Sequence, residues 1–325
     1  MKIAVINTTH KKYGGTEFET RLTRVLSNTF EVEFVNVGVR HKNNLKYLET
    51  FAVLWRLFKS SRRNDFDVVI RNFEASLFLN KQPTRNVALV HHIDSSRSPG
   101  ILRIIYPCLE KLVLSNLRNF DAIVVVSKYW EDFFRKKGYK NVHIIYNPFD
   151  LREFNFSSLE IFEFKKKYKL LKKPILYIGN ALKKKGVVES YNVLKDLDVH
   201  LVTSGKSQVE IPAINLNLDH KEYLKLLKAT SVVVTMSKFK EGWCRTAHEA
   251  MLCKTPVVGS GTGGMRELLE GGKQIICNDF KELKNKVEFA MQHPELGEKG
   301  YNFAKIFTIE KFKKEWVNLI NSLSE

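Results

Sequence analysis

The sequence predicts an α/β protein built from two doubly wound parallel sheets. Short runs rich in Val and Ile alternate with segments of helical periodicity, first through residues 1–146 and again from residue 174 onward. Buried parallel strands have such continuous apolar runs, and a repeated strand–helix alternation builds doubly wound sheets. Between the two series, residues 151–173 are rich in lysine and lack β-like runs. We therefore expect two α/β domains joined by a connector.

The elements follow in chain order. In the first series we expect strands at 2–7, 31–37, 66–71, 87–90, 122–127 and 142–146, with helices at 17–26, 40–63, 101–118 and 128–137. In the second series we expect strands at 174–179, 199–203, 231–235, 255–259 and 274–277, and an amphipathic helix at 309–323. These patterns divide the chain into 1–150, a connector at 151–173, a second domain at 174–305 and a terminal segment at 306–325.

Composition is that of an ordinary globular protein. The chain has 325 residues, of which 44% are hydrophobic, and no apolar stretch reaches the roughly 20 residues that a membrane span needs. The cysteines are far apart and form no C-x-x-C pair, so neither disulfides nor a cysteine-based zinc site is expected. This cysteine usage favours a reducing cytoplasm.

The formal net charge of +18 favours anionic partners. Residues 40–63 carry much basic charge, with Glu49 as their single acid, and Trp55 and Phe58 recur there with other apolar residues near the helical period. Such a basic amphipathic helix is typical of an anionic membrane-surface element, but a domain helix that buries its apolar stripe in the core has the same pattern. No helix-turn-helix or basic, aromatic-interleaved sheet supports nucleic-acid binding.

Two glutamates, Glu241 and Glu249, are separated by seven residues and follow an apolar run at 232–234. The order predicts a strand, an acidic loop and a short helix, which places Glu241 at the strand's carboxyl edge and Glu249 in the helix. Open α/β sheets bind ligands at that edge. The two carboxylates could hold hydroxyls of a sugar and a ribose while helix N-terminal amides meet phosphate, or they could be solvated helix-edge charges.

This stretch matches the E-x7-E motif of the retaining, metal-independent GT-B glycosyltransferases, the family 4 or "group 1" enzymes, and residues 259–267 resemble their glycine-rich turn. The resemblance implies two Rossmann-like domains facing each other across a cleft, with residues 306–325 crossing back to the first domain. It implies that Glu241 faces the donor sugar and Glu249 the nucleotide ribose. It also places Gly242, Trp243, Arg245, Gly263 and Gly264 in the donor pocket.

In the first domain, Gly14 and Gly15 follow the first strand and resemble the family's G-G-x-E start. Glycines there let backbone N–H groups approach a phosphate or a sugar. The Rossmann fingerprint G-x-G-x-x-G is absent, which disfavours a nicotinamide enzyme. His91 ends a strand where relatives place a histidine facing the donor sugar, with His92 as the near alternative. His91, His92 and Asp94 lack the spacing to converge on one ion, so no metal site is expected.

Residues 179–186 resemble the family's G-R-L-x-x-x-K-G loop, whose Arg and Lys neutralise the leaving nucleoside diphosphate. Without a metal, fixed cations and backbone donors must meet that charge. Lys185 matches the lysine, but Asn180 stands where Arg is expected, and an amide supplies neither the charge nor a bidentate fork. Arg245 or Lys184 could compensate. Gly205 lies in a loop that resembles the one near the nucleotide base.

The resemblance therefore implies a hexosyltransferase that uses a UDP- or GDP-linked sugar and no further cofactor. The expected catalytic residues are Glu241, Lys185 and His91, and the expected acceptor is a glycan or a lipid-linked molecule in surface polysaccharide or glycolipid synthesis. We expect a cytoplasmic enzyme, peripheral at the inner face of the membrane. The alternative is a non-catalytic GT-B protein that binds a nucleotide or a glycan.

Overall fold

The computed structural model describes residues 1–8, 14–38, 46–93 and 102–323. The chain divides into two compact units, the first formed by 1–148 with 309–325 and the second by 149–308. In the described residues each unit has one six-stranded sheet, and every neighbouring pair of strands is parallel. The predicted fold class, two doubly wound α/β domains, is confirmed.

The first unit has the sheet order β2-β1-β3-β4-β5-β6. Its central strands are buried along their whole length, as the apolar runs predicted. The elements are β1 (Lys2–Asn7), α1 (Gly14–Leu26), β2 (Glu31–Asn36), α2 (Lys46–Ser60), β3 (Val68–Asn72), β4 (Arg85–Val90), α3 (Leu102–Asn116), β5 (Ala122–Val125), α4 (Lys128–Lys136) and β6 (Val142–Ile144), joined by a later helix, α12 (Ile309–Ser322).

The second unit has the sheet order β12-β11-β10-β7-β8-β9. Its apolar core lies between the sheet and the helices that cross over it. The elements are α5 (Ser158–Lys167), β7 (Ile175–Asn180), α6 (Val187–Leu194), β8 (His200–Ser204), β9 (Ile214–Leu216), α7 (His220–Ala229), β10 (Val232–Thr235), α8 (Arg245–Leu252), β11 (Val257–Gly259), α9 (Met265–Gly271), β12 (Ile275–Ile276), α10 (Leu283–Gln292) and α11 (Glu295–Ala304).

The segment 151–173, expected as a connector, is part of the second unit. It contains α5, which begins at a capping box made by Ser157 and Glu160. Phe164 and Leu170 are buried, so the segment contributes apolar side chains to a core. The lysines that suggested a linker lie on the solvent side of this helix and the turn after it.

Helix α2 covers the described part of the basic stretch 40–63, and Arg40 and Lys42 lie outside the described residues. The helix divides its apolar residues between two environments. Leu57 is buried in the core of the first unit, whereas Phe51 and Trp55 are 69% and 59% exposed. The burial of Leu57 agrees with a domain helix that packs on the core, and the exposed Phe51 and Trp55 leave the membrane-surface interpretation a prediction.

Candidate functional site

The candidate site lies at the carboxyl ends of β7, β10 and β11 in the second unit. Strand β8 flanks β7 on one side and β10 flanks it on the other, so the strand order reverses between β7 and β10. Ligands of open α/β sheets bind outside the carboxyl ends of the strands at such a switch point. A pocket opens there, lined by Gly179, Asn180, Lys185, Thr235, Ser237, Cys244 and Thr246.

Lys185 and Glu241 meet at this pocket. The Lys185 Nζ atom donates to Glu241 Oε1 at 2.6 Å, and the Ser237 hydroxyl donates to the same oxygen at 2.6 Å. Lys185 ends a short 3-10 turn that follows β7, and Gly186 closes the turn with a left-handed φ of 69°. A Cβ atom at Gly186 would lie 2.3 Å from the Met236 carbonyl oxygen, so only glycine fits there.

An aromatic ring lies beside the cations of this loop. The Nζ atoms of Lys184 and Lys185 lie 5.0 and 4.9 Å from the centre of the Phe239 ring. Cation–π attraction of this kind restrains an ammonium group without neutralising it. The Glu241 carboxylate and the Phe239 ring therefore both hold the Lys185 ammonium group at the pocket.

Glu249 is 4% exposed and pairs with Arg245 four residues earlier on α8. The Arg245 Nη2 atom donates to Glu249 Oε1 at 3.0 Å, and the guanidinium lies 4.9 Å from the centre of the Phe149 ring. Buried Nη1 has no hydrogen-bond partner among the described residues. Arg245 is the first residue of α8, and the helix dipole makes a cation unfavourable at that end of a helix. An anion bound near the guanidinium group would offset this repulsion, so the position of Arg245 favours an anion nearby.

Trp243, predicted to bind the donor, has its side chain in the core instead. Its indole Nε1 donates to His248 Nδ1 at 2.9 Å, and its ring packs against Phe307. His248 Nε2 lies 3.0 Å from the Ala304 carbonyl oxygen and therefore donates to it. Burial lowers the pKa of His248 to about 3, so the ring is neutral. The apolar residue type at 243 serves packing between α8 and α11.

Two glycines predicted to bind the donor have backbone N–H groups with partners inside the protein. The Gly264 N–H donates to the Glu241 carbonyl oxygen at 2.9 Å, and the Gly205 N–H donates to the Leu216 carbonyl oxygen at 2.9 Å. Gly263 pairs with Glu241 in a parallel bridge and has a φ of 63°, where a Cβ atom would lie 2.4 Å from the Glu241 carbonyl oxygen. The glycine-rich turn thus holds the backbone of Glu241 through Gly263 and Gly264.

Asn180 lies at the pocket, at the end of β7. Its Oδ1 atom accepts from the Tyr177 hydroxyl at 2.7 Å and lies 3.2 Å from Ser204 Oγ. Tyr177 and Ser204 also contact each other at 2.7 Å. Both hydroxyl-bearing side chains are buried, so they form a fixed polar wall behind the amide.

The site residues predicted in the first unit occupy its own carboxyl edge. Gly14 and Gly15 form the start of α1, and His91 and His92 follow β4. The His91 ring packs edge-on against Phe18 of α1, with ring centres 4.8 Å apart. Asp94 lies outside the described residues. In the described part of the chain, no group of three or more His, Cys, Asp or Glu side chains is placed to hold a metal ion.

Comparison with known families agrees with this geometry. Residues 160–306 match the family model of glycosyl transferases group 1, and residues 13–153 match the model of glycosyltransferase family 4. The chain belongs to the group 1 glycosyltransferases. The family predicted from the E-x7-E stretch and the glycine loops is confirmed.

Two curated relatives of this glycosyltransferase are archaeal. An uncharacterised glycosyltransferase of Methanocaldococcus jannaschii is 26% identical over 219 residues, which is 59% of this chain and 57% of that protein. A trehalose synthase of Pyrococcus horikoshii is 27% identical over 154 residues, 46% of this chain and 32% of that protein. The chain therefore spans little more than half of the first relative and a third of the second.

Solved structures show that the group 1 glycosyltransferase has the GT-B fold. Anabaena HepE in complex with UDP-glucose aligns with a TM-score of 0.77 and 16% identity, covering 99% of this chain and 100% of that one. A sucrose-phosphate synthase from Thermosynechococcus elongatus aligns with a TM-score of 0.78 and 16% identity, covering 99% and 98%.

Several residues that build the site of this group 1 glycosyltransferase were not predicted from sequence. Ser237 follows β10 at the carboxyl edge, and a polar residue at that place was the available signal. Phe239 and Phe149 contact Lys185 and Arg245 across loops, and Tyr177 lies in a strand that reads as apolar core. No sequence pattern marks those three, because their roles depend on contacts between distant segments.

Proposed function

We propose that this protein transfers a sugar from a UDP- or GDP-linked donor to a hydroxyl of a glycan or lipid-linked acceptor, with retention of configuration and without a metal ion. The observation that carries the proposal is the pocket at the sheet's switch point. It brings the Lys185 ammonium group within 2.6 Å of the Glu241 carboxylate, beside the first turn of α8. A diphosphate needs the cation and helix amides, and a sugar hydroxyl needs the carboxylate.

The proposed reaction needs no covalent intermediate on the protein. The acceptor oxygen bonds to the anomeric carbon on the face from which the diphosphate departs, and the bond from that carbon to the phosphate oxygen breaks. The departing phosphate oxygen takes the acceptor's proton. Lys185 stabilises the departing charge, Glu241 orients the sugar and Glu249 binds the ribose. His91 is assigned to sugar orientation on the family resemblance.

The first test is a panel of nucleotide sugars incubated with chelator and read by released nucleoside diphosphate and by thermal shift. Release from one donor is expected, and Lys185→Met and Glu241→Gln should each reduce it by about a hundredfold or more, since each removes charge stabilisation at the reacting centre. Lys173→Met is the matched control, because Lys173 forms an exposed pair with Asp198. Unchanged turnover in Glu241→Gln would refute the assigned mechanism.

A second candidate function rests on Asn180. The missing guanidinium favours a GT-B protein that binds a nucleotide or glycan without transfer, because a neutral amide stabilises a leaving diphosphate less than a cation does. That candidate predicts a thermal shift with a nucleotide sugar and no release. Binding without release has two explanations, a phosphate clamp weakened by Asn180 and a missing acceptor, and Asn180→Arg separates them. A gain of release identifies a weakened clamp, and no gain identifies a missing acceptor.

The exposed face of α2 supports placement at an anionic membrane. Phe51 and Trp55 lie one helical turn apart, with exposed Arg56 and Lys59 on the same helix. Apolar and aromatic side chains surrounded by basic residues suit the interface of an anionic bilayer. In the described residues, no helix is long and apolar enough to cross a membrane.

Vesicle sedimentation tests this placement. The protein is expected to bind phosphatidylglycerol vesicles more than phosphatidylcholine vesicles, less so at high salt, and Phe51→Ser with Trp55→Ser should reduce binding about tenfold or more, given the apolar area removed. Leu159→Ser with Phe162→Ser is the matched control, since these exposed apolar residues lie on α5 of the second unit. Equal binding to both vesicle types would reject the membrane role of α2.

A further inference from the structure

Asn180, Tyr177 and Ser204 form a closed triangle of polar contacts. The two shortest contacts, both 2.7 Å, join Tyr177 to Asn180 and Tyr177 to Ser204. An amide oxygen only accepts, and each hydroxyl has one hydrogen to donate. The two short contacts therefore form a chain of hydrogen bonds with one direction. Ser204 donates to Tyr177, and Tyr177 donates to Asn180.

The strand geometry that permits this chain is irregular. Residues three apart on a regular strand project to opposite faces of the sheet. Here the pairing of β7 with β8 shifts register between Tyr177 and Asn180, and Gly179 has a φ of 103°. The irregularity turns the Asn180 side chain back towards the Tyr177 hydroxyl, as bulges beside binding sites commonly do.

The chain fixes which end of the amide meets the pocket. Because Oδ1 is turned to the two buried hydroxyls, the Nδ2 group points away from them. Asn180 is exposed and lines the pocket together with Lys185. Nδ2 carries two hydrogens and no charge, so it can bind an anionic oxygen without competing with Lys185 for a carboxylate.

We propose that Asn180 is a ligand-binding residue that donates Nδ2 hydrogens to an oxygen of the nucleoside diphosphate, and that Tyr177 and Ser204 are positioning residues that orient its amide. This inference rests on the proposed function and deepens it. The position that carries a guanidinium in the family motif is here an oriented neutral donor. Tyr177 and Ser204 are part of the binding site although neither lines the pocket.

The test is isothermal titration of UDP and of GDP into wild type, Asn180→Ala, Tyr177→Phe, Ser204→Ala and the Asn180→Ala, Tyr177→Phe double variant. Asn180→Ala removes a hydrogen bond to a charged group, so it should weaken the affinity for whichever of UDP and GDP binds by about tenfold or more. Tyr177→Phe should weaken it by a smaller factor, and Ser204→Ala by less than about twofold because the bond from Tyr177 to Asn180 persists. Tyr168→Phe is the control, a remote tyrosine whose hydroxyl contacts Glu222.

The double variant decides whether Tyr177 acts through Asn180. If it does, the double variant binds the diphosphate no worse than Asn180→Ala alone, since the effects of coupled residues are not additive. Additive losses would overturn the positioning role, and wild-type affinity in Asn180→Ala would overturn the whole inference. Asn180→Asp keeps the acceptor oxygen and the bond from Tyr177, so it should fold and lose diphosphate binding. If neither UDP nor GDP binds the wild type, the proposed function fails instead.

Discussion

Glu19 on α1 is a buried carboxyl with few hydrogen bonds. Asn72 at the end of β3 bonds to it, and its Oε2 atom has no partner in the part of the chain that the structure describes. Burial raises the pKa of Glu19 to about 8 from an ordinary value of 4.5, and repulsion from Glu74 acts in the same direction. The carboxyl is therefore protonated in the folded protein at pH 7, whereas it ionises in the unfolded chain.

The free energy of unfolding therefore depends on pH through Glu19. Between pH 4.5 and 8 the folded state binds more protons at Glu19, so its contribution to stability is complete below pH 4.5 and is lost as the pH rises towards 8. The slope is at most about 1.4 kcal/mol per pH unit. We expect Glu19→Gln to be more stable than wild type at pH 9 and to lose that advantage at pH 5.

Denaturant unfolding at pH 5, 7 and 9 measures this difference. Glu163→Gln is the control, because Glu163 is an exposed carboxyl on α5. A wild type and a Glu19→Gln variant whose stability difference stays constant with pH would show that the folded protein ionises Glu19 normally.

Individual site residues were predictable where the chain itself carries the pattern. Glu241, Glu249 and Lys185 stand at fixed spacings after apolar strands, and the structure places Lys185 after β7, Glu241 after β10 and Glu249 within α8, as expected. Tyr177 and Ser204 were not predictable, because they lie on neighbouring strands and meet Asn180 only through the register of the sheet. The burial of the Trp243 side chain was not predictable, because an aromatic residue in a motif has the same sequence signature in a core and in a pocket.

At the scale of elements, the turn between β7 and α6 holds Lys185 in place. Gly186 combines a left-handed φ with a backbone oxygen where a Cβ atom would lie, whereas Gly138 has a φ of 82° and a Cβ atom there would make only an ordinary contact, 3.9 Å from Arg118 Nη1. Gly138→Ala should therefore cost about 1–2 kcal/mol, the price of the conformation alone. Gly186→Ala should cost more and also weaken nucleoside diphosphate binding, as titration of both variants would measure. Unchanged nucleoside diphosphate binding in Gly186→Ala would show that this turn does not position the binding site.

His248 joins α8 to α11 and to the chain at Phe149. Its ring stacks on Phe149 with centres 4.0 Å apart, and it bonds Trp243 and Ala304. His248→Leu leaves the buried Trp243 N–H unpaired and removes one of the two hydrogen bonds to the Ala304 carbonyl oxygen, along with the stacking on Phe149. We therefore expect a loss of about 2–5 kcal/mol in unfolding free energy at pH 7. Half-exposed His293 is the control, and His293→Leu should change that free energy by less than about 0.5 kcal/mol.

The same variant has a pH signature. The lowered pKa of His248, about 3 against an ordinary 6.5, means that the unfolded chain binds more protons between these values. The unfolding free energy of the wild type therefore decreases as the pH falls from 6.5 towards 3. The difference in unfolding free energy between wild type and His248→Leu should narrow between pH 7 and pH 4. A gap that is constant with pH would indicate a loss of packing alone.

Most elements were predictable because their patterns are local. The strands of both sheets follow apolar runs, and the observed ends differ from the predicted ones by a few residues. Strand β9 was missed because its three residues, Ile214–Leu216, are largely exposed at the edge of the sheet. The dual character of α2 was left open because periodicity gives the apolar face of a helix and not what covers it.

At the scale of the whole molecule, each unit is formed by one continuous stretch of the chain, and α12 is the exception. This helix follows the second unit in sequence and belongs to the first, where Phe312 packs on Phe18 with ring centres 5.2 Å apart and Trp316 is fully buried. An amphipathic pattern at 309–323 predicted the helix. Its packing partner Phe18, 294 residues before Phe312, could be suggested only by the family resemblance.

Trp316 therefore couples the end of the chain to the stability of the first unit. Trp316→Ala creates a cavity in that unit's core and should cost about 3–5 kcal/mol, whereas Phe289→Ala removes a half-exposed ring on α10 of the second unit and should cost far less. Differential scanning calorimetry with and without UDP distinguishes the units, because a ligand that binds the second unit raises that unit's transition. Trp316→Ala should lower chiefly the transition that UDP does not raise. A larger shift in the UDP-sensitive transition would mean that α12 stabilises the second unit instead, contrary to the packing of Trp316.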